Sequence, residues 1–137
     1  MAAGPGKSTS GRVQSHLPYE PQSAAAARRL VRTALLGWGL AELIDAGEVV
    51  VSEPVGNAVK TGCRLTMTVT LQWTALRSVR IGVRDGSRAM PCRVDAGPAA
   101  ECDRGLALVH HLTEGQWGVT VEPDGKTVHA DLCTRPA

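Results

Sequence analysis

The chain has 137 residues, 43% of them hydrophobic and 20% charged, with a formal net charge of +2. That is the size and balance of one folded globular domain, which excludes a disordered chain and leaves no room for a second domain of ordinary size. Twelve arginines face three lysines, but with 3% aromatics and so small a net charge they do not make a nucleic-acid surface, and no run of about 18 apolar residues could span a bilayer.

The amino terminus lacks a basic segment followed by an apolar stretch, so the expected location is the cytoplasm. Residues 1–12 are rich in Gly, Ser and Ala and read as a flexible tail, leaving 13–134 as a single domain. The absence of Phe means a core of alanine and β-branched side chains with few large anchors. Cys63, Cys92, Cys102 and Cys133 have none of the two-residue gaps of a metal site and read as small hydrophobes or free thiols in a reducing compartment.

In chain order, Val13 to Leu17 reads as a short strand. Ala27, Leu30, Val31, Ala34 and Leu35 then recur at helical spacing, predicting a helix that ends near Gly37 to Gly39, with Arg28, Arg29 and Arg32 on a solvated face. Asp45, with Glu48 three residues on, reads as the cap of a second helix reaching about Lys60. Leu65, Met67, Val69 and Leu71, then Val79, Ile81 and Val83, alternate with polar residues and predict two half-buried strands. Asp85 to Asp103 reads as a long functional loop. Leu106 to His110 supports a short third helix, and strands near 117–122 and 127–132 flank a Pro-Asp-Gly turn. Strands bunched in hairpins with three helices between them predict an α/β (α+β) two-layer sandwich: a mixed, mostly antiparallel sheet with the helices on one face.

Several residues invite chemistry. Glu53 and Asn57, four apart, project from one helix face about one turn from each other, where a carboxylate and an amide oxygen could share one Mg²⁺ and one attacking oxygen. Asp85 ends an alternating strand, and Gly86 lets the backbone approach a flat ligand, although Asp-Gly is also an ordinary turn. Arg104 and Gly105 read as the opening of the third helix, where free N–H groups favour phosphate, while Thr127 by itself reads as a strand threonine.

Four stretches fall in one order: Ser52-Glu53-Pro54-Val55-Gly56-Asn57-Ala58-Val59, Val83-Arg84-Asp85-Gly86-Ser87, Asp103-Arg104-Gly105-Leu106-Ala107-Leu108-Val109 and Gly125-Lys126-Thr127-Val128. From about Leu17 to Leu132 this order resembles the GHKL superfamily of ATP-binding domains, the Bergerat fold, and most of all its small single-domain branch of anti-sigma-factor serine kinases, abundant in actinobacteria. The resemblance implies ATP and Mg²⁺ as cofactors. It implies Glu53 as general base, Asn57 as Mg²⁺ ligand, Asp85 and Gly86 at the adenine, Arg104, Gly105 and Leu106 at the phosphates, and Thr127 supporting the base pocket. It further implies a transcription regulator that holds a sigma factor, phosphorylates a serine on a small antagonist protein, and is compatible with a homodimer. Three positions depart from the branch: Pro54 where a leucine is usual, Gly56 where a threonine is usual, and Asp103 where a glycine opens the phosphate loop. A proline and a glycine within one helical turn are expected to kink the helix and shift Glu53 relative to Asn57. The alternative they open is a degenerate GHKL scaffold acting as a nucleotide-independent interaction module.

Overall fold

The computed structural model describes residues 11–61, 66–86 and 100–134, apart from the side chains of 61 and 100–106. The elements are β1 (Arg12–Leu17), α1 (Ser23–Gly37), a 3₁₀ turn (Ala41–Leu43), α2 (Ile44–Thr61), β2 (Met67–Ala75), β3 (Ser78–Asp85), α3 (Ala100–Thr113), β4 (Trp117–Glu122) and β5 (Gly125–Cys133). Residues 1–10 of the expected tail, and 87–99 of the expected loop, lie outside the described residues, as do Cys63, Cys92 and the side chain of Cys102; Cys133 is exposed and free.

The five strands form one sheet in the order β1-β2-β3-β5-β4, and every pairing is antiparallel. The mixed character expected from the sequence is resolved by the position of β5. The crossover through α3 makes β4 run in the same direction as β3, but β5 returns between them, so the two never pair. Alternation then sorts the side chains. Met67, Val69, Leu71, Val79, Ile81, Val83, Val128, Ala130 and Leu132 are buried beneath the helices. Arg80, Arg84, Thr127 and Asp131 face the other way, where Arg80 grips Asp131 through two hydrogen bonds of 2.8 and 3.0 Å. The side-chain period of two enforces this division, since a one-residue slip would bury the arginines.

All three helices cover the apolar face. α1 contributes Ala27, Val31, Ala34 and Leu35 to the core, and α2 contributes Val50, Val51, Val55 and Ala58. α1 stops where the sequence suggests, in a Schellman arrangement: Gly39 takes φ of +73°, its N–H meets Leu36 O, and the Leu40 N–H meets Leu35 O at 2.8 Å. The start of α2 differs from expectation. The helix follows directly from the 3₁₀ turn at Ile44, so Asp45 stands inside the first turn rather than capping it. Glu48 accepts from Arg32 Nε at 3.0 Å, and Arg28 donates to Ser52 Oγ at 3.1 Å, so two of the three arginines on the α1 face tie α1 to α2. Trp38 and Trp73 stack with ring centroids 5.7 Å apart, supplying at one end of the sheet the bulk that a core without phenylalanine lacks. Among the described residues no helix is long and apolar enough to cross a membrane.

Candidate functional site

α2 carries the first pair of candidates. The helix is unbroken from Ile44 to Thr61, so Glu53 and Asn57 keep their one-turn spacing on one face, both partly buried. The helix runs on through Pro54 and Gly56 without interruption. Pro54 forfeits its hydrogen bond to the carbonyl of Val50, but its ring is buried, and the neighbouring Val51, Val55 and Ala58 pack fully into the core. Burial of that apolar stripe, at about 1.5–3 kcal/mol for a fully buried valine, offsets the loss of one backbone bond. Gly56 faces open space, where a side chain would meet nothing within 4 Å.

Glu53, Pro54 and Asn57 line a small cavity against Val109 of α3, Trp117 of β4 and Ala130 of β5. It encloses about 10 Å³, close to the room one water needs, and its walls are mostly apolar. No hydrogen bond or ion pair holds the Glu53 carboxylate among the described residues. Asp85 does not line this cavity.

Asp85 is the last residue of β3 and points inward, 4% exposed. Its register partner across β5 is Lys126, 2% exposed, whose ammonium donates to both carboxylate oxygens at 2.9 and 3.2 Å. Gly125 permits this approach: a Cβ there would overlap the Asp85 carbonyl oxygen and come within 2.9 Å of Gly86 Cα. The Gly86 N–H donates to Tyr19 Oη at 2.9 Å, which anchors the chain where it leaves the sheet.

Thr127 does not join the Asp85–Lys126 pair. It pairs with Arg84 in the register and therefore lies on the polar face of the sheet, away from Asp85. Its hydroxyl donates to Glu122 Oε2 at 3.0 Å, and Arg84 Nε donates to the same carboxylate at 2.7 Å. The Arg84 hydrogen bond, followed by that of Thr127, holds the Glu122 carboxyl below its ordinary range. The residue of this hairpin beside Asp85 is Lys126. The sequence carried the signal, since Val128, Ala130 and Leu132 face inward and alternation places residue 126 with them.

The phosphate-side candidates also shift. α3 opens at Ala100, so Arg104, Gly105 and Leu106 stand past its first turn, where backbone N–H groups are engaged within the helix. The amide donors that a helix leaves without intrahelical partners lie in the turn ahead of Arg104.

Among the described residues no group of three or more His, Cys, Asp or Glu comes together as a metal site. Glu53 and Asn57 offer two hard oxygens, which suits Mg²⁺, a cation that takes few protein ligands and completes its shell with water and phosphate oxygens. The base end fits less well, because the Asp85 carboxylate that would accept from an adenine amino group is held by a cation of the same chain.

Comparison with solved structures finds the same fold in the crystal structure of the RsbU and RsbW domains of Rv1364c from Mycobacterium tuberculosis. The TM-score is 0.69 at 21% identity, over 92% of this chain and 33% of that one, so this chain spans about a third of its neighbour's length. None of the curated proteins matches the chain significantly. Residues 17–131, nearly the whole of the described fold, match the family described as the histidine kinase-like ATPase domain, and the chain belongs to that family.

Proposed function

We propose that the protein is a cytoplasmic ATP-binding regulator of the anti-sigma-factor type, a partner switch that holds a sigma factor and phosphorylates a serine on a small antagonist protein. The observation that carries this reading is the spacing of Glu53 and Asn57 on an unbroken α2, inside a domain of the histidine kinase-like ATPase family. The likeness to a structure that contains an RsbW domain supports it at the level of the fold. When bound, ATP with Mg²⁺ would supply an activated phosphoryl group. On the protein side, the Asn57 amide oxygen would hold the cation, and the Glu53 carboxylate would take the proton of the attacking hydroxyl.

A second reading is favoured by one observation. The buried Lys126–Asp85 pair occupies the carboxylate on which adenine recognition would depend, as in a scaffold that works through protein contacts without nucleotide. Calorimetric titration of ATP with and without Mg²⁺ separates the two. In the wild-type chain Mg²⁺ is expected to tighten ATP binding about tenfold, equivalent to about 1.4 kcal/mol. Asn57→Ala is expected to abolish that dependence and leave the Mg²⁺-free affinity unchanged. An Asn57→Ala variant with full Mg²⁺ dependence would remove Asn57 from the cation site.

A further inference from the structure

Resting on the nucleotide-binding reading, we infer that Lys126 is the residue that sets base selectivity, and that it removes the preference for adenine which Asp85 alone would impose. A solitary buried carboxylate discriminates between purines because it has only acceptors. It welcomes the amino group of adenine and repels the 6-oxo group of guanine or hypoxanthine. Such discrimination is strong because the wrong base leaves a buried polar group unpaired or opposed.

In this chain the carboxylate is not solitary. Lys126 Nζ sits 2.9 Å from Oδ2 and 3.2 Å from Oδ1, so a single ammonium faces both oxygens. The side chains of Lys126 and Asp85 are only 3% and 2% exposed, so the interaction is shielded from water. A charge-assisted hydrogen bond of this kind is roughly twice as strong as one from a neutral amine, so an adenine amino group is the weaker competitor for these oxygens. A 6-oxo group, conversely, meets a carboxylate whose charge is balanced, and so escapes the repulsion that a lone Asp85 would impose.

The geometry is built rather than incidental. β5 begins at Gly125, whose missing side chain lets the strand close on the Asp85 carbonyl and sets Lys126 directly opposite Asp85. Thr127, the hairpin's uncharged candidate for the base, is held on the far face by Glu122. The ligand class is thus a purine nucleotide selected by its phosphates and ring rather than by the group at position 6.

Calorimetric titration of ATP, GTP and ITP with Mg²⁺ into the full chain and into Lys126→Thr tests this. The wild-type affinities for ATP and GTP are expected to agree within about threefold, and Lys126→Thr to tighten ATP by about tenfold or more with no gain for GTP or ITP. A wild-type chain that binds ATP about tenfold or more tighter than GTP would overturn the inference and leave the nucleotide reading standing. A folded Lys126→Thr variant with unchanged ATP affinity would do the same. If none of the three nucleotides binds either chain, the nucleotide reading falls and takes the inference with it. Thermal unfolding reports whether the variant folds, and the wild-type ratio decides the matter without it.

Discussion

Asp85→Ala is expected to destabilise the fold by about 3–5 kcal/mol, measured as the loss of unfolding free energy in urea, because it takes from the buried Lys126 ammonium the carboxylate that faces it. The magnitude follows from burial. At 3% and 2% side-chain exposure water reaches neither partner readily, so a change in the charge balance here is costly. The pair as a unit contributes far less than the loss of one member suggests. The double replacement Asp85→Leu with Lys126→Met is expected to bring stability back to within about 1 kcal/mol of wild type, since an apolar pair of similar volume needs no desolvation of charge. A single Asp85→Ala variant as stable as wild type would show that the two side chains do not form a buried pair in solution.

Glu53→Ala is expected to lower the rate of phosphate transfer from ATP, to a serine acceptor protein or to water, by about 10²–10⁴-fold, the usual contribution of a positioned general base. ATP affinity is expected to stay within a few-fold, because proton removal from the attacking hydroxyl acts in the transition state and not in the bound ground state. The helix supports the separation of these effects. Pro54, Val55 and the rest of the buried stripe fix the backbone on either side of Glu53, so truncating one partly buried side chain leaves Asn57 in place. Transfer measured beside calorimetric affinity checks both halves, and an undiminished rate in the variant would remove Glu53 from the chemistry.

The order of elements was legible because it depends on local periods. The 3.6-residue stripe from Ala27 to Leu35 and the alternation from Met67 to Leu71 each correspond to an observed element. The site was legible only where its residues lie on one element. Glu53 and Asn57 share a helix, and their spacing survives in the fold. The contact between Asp85 and Lys126 spans 41 residues of sequence and needs both strands in register before the two charges meet. A lysine in a strand also reads as solvent-facing by composition, and the motif order implies Thr127, whereas strand parity sets residue 126 opposite Asp85. At Pro54 propensity counts the lost hydrogen bond and cannot see the core that carries the helix on through it.

The most direct test of the central claim is an amide-resolved NMR titration of the full chain with ATP and Mg²⁺, which reads binding and its location together. The account expects saturable shifts concentrated at Glu53 to Asn57, at Asp85 and Gly86, at Arg104 to Leu106 and at Lys126. Spectra unchanged at millimolar ATP, or shifts confined to the polar sheet face around His16, Thr70 and Arg80, would contradict it.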